Sequence, residues 1–172
     1  MSRNADSEPE GRVLPLARPP IRRSVLVRAP RERTWAVFVG RMAEWWPLDL
    51  FSAGRERVRD VTVDPRVGGT VAEVWDDGTT LPWGEVLTCA EPEHFAMTWN
   101  ITGTPTEVAL RFRAVAPALT KVDLEHTGWD RLSADELRAD CALPGGYSGG
   151  AIATGWDRIL AALQRAAAEE DE

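Results

Sequence analysis

Few residues in this chain of 172 stand at spacings that could do chemistry, and each implies a different reaction. Residues 146 to 150 read Gly-Tyr-Ser-Gly-Gly, the Gly-x-Ser-x-Gly pattern of a nucleophile elbow. That device needs a strand before the serine, a helix after it, and an acid and a histidine later in the chain. A helix does follow Ser148, but an apparent loop precedes it, and both histidines, His94 and His126, come earlier. A loop that hinges into a helix is the favoured reading of Ser148. Glu73 and Glu85 form a second candidate, because paired buried carboxylates can act as general acid and base. Glu73 alternates with Val71 and Trp75, and Glu85 with Trp83 and Leu87, so both can face inward. If Trp75 and Trp83 lie on the outer face instead, both glutamates go with them.

His126 is the best single polar group, since it alternates with Val122 and Leu124 and so points with core residues. A buried imidazole needs only one or two hydrogen-bond partners, so a structural role stands beside that of an anchor for a ligand carbonyl or carboxylate. His94 faces away from the core. Cys89, Cys141 and the histidines match no metal-ligand spacing, so the cysteines read as buried thiols and no metal or cofactor is expected. Asp64 to Val71, with Gly68 and Gly69, has neither a Lys-Ser/Thr pair nor a following helix, and reads as a hairpin turn rather than a phosphate cradle.

The stronger signal is apolar, for the chain holds eight tryptophans. Each buried indole removes about 150 to 250 Å² from water, worth roughly 4 to 6 kcal/mol at most. Trp35 and Trp156 read as packing. Trp46, Trp75, Trp83 and Trp99, with Met97 and Phe112, stand between core and the wall of an apolar ligand cavity, with His126 as its polar group. Trp45 and Trp46 precede Pro47 and diverge by about 100° if helical. Trp45, three residues after Met42, is assigned to the core, and Trp46 to the cavity entrance.

The elements that must position these groups can be read from periodicity. Residues 1 to 20 lack periodicity and read as a mobile arm; 21 to 167 form one domain; 168 to 172 are an acidic tail. A strand from Ile21 leads through Pro30 into an amphipathic helix with Trp35, Phe38, Val39 and Met42 on one stripe, broken near Gly40. Six short strands follow, joined by turns such as Asp76-Asp77-Gly78. Ser133 and Glu136 have capping-box spacing, and a helix from Ala151 carries Ile152, Trp156, Ile159, Leu160 and Leu163 along one face. Short turns make the sheet antiparallel, and the long helix must cover its apolar face.

Composition excludes several classes. A formal charge of -7 opposes nucleic-acid binding, although seven arginines between Arg12 and Arg33 make the start of the chain basic. No apolar run approaches the roughly 20 residues of a membrane helix, and no signal-peptide pattern opens the chain, so a cytoplasmic protein without membrane insertion is expected.

Six stretches, VLVRAPRERTWAVF, EWWPL, DPRVGG, WGEVLTCAEPEHFAMTW, DLEHTGW and GWDRILAALQ, occur in the order and spacing of the START-like SRPBCC superfamily. The chain most resembles its branch of heat-shock protein 90 ATPase activator homologues, over about residues 21 to 165. The resemblance implies an α+β helix-grip fold, with a curved antiparallel sheet around a long C-terminal helix. It also implies a hydrophobic or aromatic small molecule held between the two without turnover. The branch offers two alternatives: a chaperone partner, as for the stress-response namesakes, which carry a further N-terminal chaperone-binding domain, or a cyclase or hydrolase using Glu73, Glu85 or His126. The N-terminal arm and the stretch LPGGYSGG look particular to this chain.

Overall fold

The computed structural model describes residues 18–100, 104–136 and 151–169. Strand β1 (Ile21–Val27) is followed by α1 (Arg31–Gly40), α2 (Met42–Trp45) and α3 (Leu48–Phe51). Six strands come next, β2 (Val58–Val63), β3 (Thr70–Trp75), β4 (Thr80–Ala90), β5 (His94–Trp99), β6 (Thr106–Ala116) and β7 (Leu119–Thr127). The chain ends in α4 (Ala151–Ala168). The strands form one antiparallel sheet of seven in the order β1-β7-β6-β5-β4-β3-β2. This is the helix-grip arrangement expected, with α4 as the cover. A third short helix, α3, is an element the periodicity did not announce, as are the single 3-10 turns at Arg55–Arg57 and Trp129–Arg131. Helix α3 arises because Trp46 is extended and Pro47, which has no N–H to lose, can start a fresh turn.

The inner face is apolar and follows the predicted alternation. Phe95 and Met97 on β5, Val108, Leu110 and Phe112 on β6, and Val122 and Leu124 on β7 are all buried. Against them lie Trp35 and Phe38 of α1, and Trp156, Ile159, Leu160 and Leu163 of α4. Trp35 meets Phe112 edge to face at 5.2 Å between centroids, and Phe38 meets Phe95 likewise at 5.2 Å. The side chain of Ile152 falls outside the described residues.

Polar groups close the ends of this core. The Arg33 guanidinium donates to the carbonyls of Ala167, at 2.8 Å, and of Glu169. It therefore satisfies the last turn of α4 with a positive charge at the negative end of the helix dipole. Thr120 donates to the Ala29 carbonyl at 2.8 Å, inside the core. Ser133 and Glu136 cap each other reciprocally, with bonds of 2.7 and 3.1 Å, as their spacing predicts. The rest of the helix they were expected to open lies outside the described residues, as do Cys141 and Ser148. The arm expected to be mobile through residue 20 is held at its end, where Arg18 donates to the carbonyls of Trp129 and Leu132 at 2.9 and 2.6 Å.

One irregularity governs the inner face of β4. Val71 pairs with Gly84 and Ala72 with Pro82, so Trp83 is an extra residue, a β-bulge. Glycine is required beside it, because a Cβ on Gly84 would stand 1.7 Å from the Thr98 carbonyl oxygen. The bulge is pinned from β5, where the Thr98 hydroxyl accepts the Glu85 N–H at 2.9 Å. Gly84→Ala is therefore expected to cost about 3 kcal/mol, lowering Tm by roughly 6 to 12 °C in a protein of this size. An unchanged melting temperature in calorimetry would mean that β4 and β5 do not approach this closely.

Candidate functional site

The bulge changes which side chains of β4 enter the interior. Trp83 is buried, but two residues later Glu85 is exposed, and Val86 takes the inward position instead. The candidate pairing of Glu73 with Glu85 is thus ruled out, since Glu73 is buried and Glu85 lies on the opposite, exposed face of the sheet. Glu73 is wholly buried. Its Oε1 accepts the Gly54 N–H and the Trp75 Nε1–H, both at 2.7 Å. Its Oε2 accepts the Trp83 Nε1–H at 2.7 Å and the Ala53 N–H at 3.1 Å. Burial, the largest single influence, raises the Glu73 pKa, yet the four hydrogen bonds together outweigh it and hold the carboxyl below its ordinary value. An anion saturated in this way is a tether rather than a base. It ties the loop after α3 to the sheet and fixes two indoles.

The predicted site residues divide accordingly. Trp75 shares the face of Glu73 but lies beyond the interior, beneath Gly54 and under the Arg57 guanidinium 4.6 Å from its ring. Glycine is needed at 54, where a Cβ would come within 2.4 Å of the indole nitrogen. Phe112 packs deeper, against Trp35 and Phe38, and is fully buried. Trp46, Trp83, Met97 and Trp99 do come together, with Trp156 from α4. Trp46 lies 4.9 Å from Trp83, and Trp99 lies 5.2 Å from Trp156, between ring centroids. The void among them measures only about 20 Å³, room for one water.

The division of labour expected for the tryptophan pair also fails. Trp45 and Trp46 are each 6% exposed. Trp45 donates its Nε1–H to the Val37 carbonyl at 3.0 Å, and Trp46 to the Phe51 carbonyl at 2.9 Å. Both diverge, as helix geometry requires, yet α3 folds back over the second indole and buries it. What meets solvent is a groove of about 530 Å³ outside Trp83 and Trp99, walled by Leu50, Phe51, Leu81 and Pro82 with Ser52 and Asn100 as polar groups. Leu50 and Leu81 are 47% and 37% exposed, so the groove is apolar at its rim.

His126 sits behind this cluster, fully buried on β7. Trp156 Nε1, which can only donate, reaches His126 Nδ1 at 3.1 Å. The ring must therefore be neutral, with its proton on Nε2, which donates to the Thr106 hydroxyl at 2.7 Å. Thr106 in turn reaches the Trp99 carbonyl at 3.4 Å. Both ring nitrogens are taken by protein partners, so His126 has none to offer a ligand in this arrangement. Burial pushes its pKa down from 6.5 to about 3. Among the described residues no group of three or more His, Cys, Asp or Glu could hold a metal, and no helix is long and apolar enough to cross a membrane.

Three outcomes are expected. Glu73→Gln puts an NH2 group against N–H donors and should cost about 2 to 4 kcal/mol in chemical denaturation, with red-shifted tryptophan emission. Wild-type stability with unshifted emission would deny the tether. Since the folded pKa of His126 lies below the unfolded one, the unfolded chain binds more protons between pH 6.5 and about 3, and stability falls as the pH drops through that window. The Glu73 contribution is likewise lost on acidification, as the pH falls through its depressed folded pKa. Nitrogen NMR at about pH 5, where a free histidine is charged, should find His126 neutral and protonated at Nε2; a charged ring would contradict the relay.

Solved structures share this architecture. Protein MLL2253 from Mesorhizobium loti is 18% identical over 89% of this chain and 99% of its own, with a TM-score of 0.60. The self-sacrificing resistance protein CalC from Micromonospora echinospora is 25% identical over 87% and 94%, at 0.59. Aha1 from Colwellia psychrerythraea, solved as a dimer, is 16% identical over 86% and 94%, at 0.57. No curated protein matches the sequence significantly. Residues 28–168, from the end of β1 to the last residue of α4, match the family described as activator of Hsp90 ATPase homolog 1-like protein, and the chain belongs to that family.

Proposed function

We propose that this protein binds a hydrophobic or aromatic small molecule without transforming it, and that the molecule enters at the groove outside Trp83 and Trp99. The observation that carries this reading is that the same two indoles wall both the groove and the interior void. Pockets for such ligands are mostly apolar with a few polar groups, and here Ser52 and Asn100 supply the latter. A void of about 20 Å³ holds no organic ligand, so the molecule either stays in the groove or displaces an indole. Trp99 is the half-buried member of the cluster and is the side chain that swings, while Trp83 is held by Glu73. A non-catalytic role agrees with the chemistry at hand, since the Glu73 carboxylate is saturated and His126 has no free nitrogen.

The neutral fluorophore N-phenyl-1-naphthylamine tests this. It should bind saturably, quench tryptophan emission and gain fluorescence. Leu50→Asp, at the exposed rim, and Trp99→Ala should each weaken it by about tenfold or more, provided that circular dichroism shows the fold intact. Absence of saturable binding, or equal affinity in both variants, would refute the site.

A further inference from the structure

The outer face of the sheet carries a polar row that neither core nor groove uses. Register places His94 of β5 beside Arg111 of β6, Arg111 beside Asp123 of β7, and Asp123 beside Ser24 of β1. One row away, Ala109 offers only a methyl group and so floors a hollow of about 350 Å³ among Arg22, His94, Arg111 and Arg113. The charges around it do not balance. Glu125 engages Arg22 at 3.0 Å, while the single carboxylate of Asp123 serves Arg113 at 2.7 Å and Lys121 at 3.4 Å. Arg23, also at the rim, turns away to Asp157 at 2.9 Å. Arg111 forms no ion pair among the described residues, since Asp123 on one side of it engages Arg113 and Lys121, and its neighbour on the other side is His94.

Three cations of the hollow, Arg22, Arg111 and Arg113, therefore meet two carboxylates, one of them shared with Lys121, on a chain whose overall charge is -7. A local field of sign opposite to the whole molecule selects for an anion, and a guanidinium fork suits the paired oxygens of an oxyanion. We infer that this hollow binds a doubly charged oxyanion of the phosphate ester class, with the Arg111 guanidinium as its principal contact and the His94 ring as a second donor. The site lies on the opposite face of the sheet from the groove, so it stands or falls independently of the ligand proposed there.

The chain has two histidines, and with His126 pushed down to about 3, the two rings are told apart by their titration. Burial, and then Arg111, holds the His94 pKa below its ordinary value. Proton NMR of the His94 ring thus reports on the hollow. Inorganic sulfate, whose charge is constant across the titration, should raise the His94 midpoint, and phenyl phosphate should do the same at lower concentration. Arg111→Gln should weaken both by about tenfold or more, and Arg111→Lys should restore part of the effect, since it keeps the charge but not the fork. Co-sedimentation with phosphatidylcholine vesicles containing phosphatidic acid, competed by phenyl phosphate, would assign the group to a lipid headgroup; phenyl phosphate binding without co-sedimentation would assign it to a free ester. A His94 midpoint unmoved by sulfate and phenyl phosphate, or moved equally in folded Arg111→Gln, would overturn the site.

Discussion

A single buried negative charge, the carboxylate of Glu73, organises the open end of this fold. An ion removed from water must recover its solvation from the protein, and here it does so without any cation, through two backbone and two indole N–H groups. The donors come from three separate parts of the chain. Ala53 and Gly54 come from the loop after α3, Trp75 from the end of β3, and Trp83 from the bulge of β4. Once the charge is satisfied, the loop is pulled onto the sheet and Trp83 is turned inward. The floor and one wall of the apolar groove follow from that.

The same tether explains why the interior is full. With Trp83 fixed, Trp46, Trp99 and Trp156 stack around it, and the space between sheet and α4 shrinks to a void the size of one water. A second polar device, the relay from Trp156 through His126 and Thr106 to the Trp99 carbonyl, holds the opposite side of the cluster. Trp46, Trp83 and Trp156 are buried and each donates its indole N–H to a protein acceptor, while Trp99 is the half-buried member of the cluster. Rigid, close-packed neighbours leave the half-buried side chain as the more exposed of the two indoles at the groove.

Much of the fold was legible because it depends on local periodicity. The strands β3 and β5, the helix α4 with Trp156, Ile159, Leu160 and Leu163, and the cap between Ser133 and Glu136 all lie where alternation, helical spacing and capping chemistry put them. The partners of the site were less legible. The Pro82-Trp83-Gly84 run carries a glycine inside a strand, a sign of a bulge, and reading it so would have separated Glu85 from Glu73. Likewise Pro47 can open a helix as well as end one, and taking the first sense would have foreseen α3 closing over Trp46.

What the sequence by itself determined is the element order, the antiparallel sheet with its covering helix, and an interior built from aromatic side chains, because these follow from the identity and spacing of residues near one another in the chain. It also determined that His126 faces inward with Val122 and Leu124. Only the tertiary structure decided that the interior is closed, that Glu73 is a saturated anion, that His126 is neutral with its proton on Nε2, and that Arg111 stands between His94 and Asp123 without an ion pair among the described residues. Each of those depends on which donors and charges arrive from distant strands. A shift of one residue in register, such as the bulge at Trp83, reverses the face on which a side chain lies, and no local pattern carries that information.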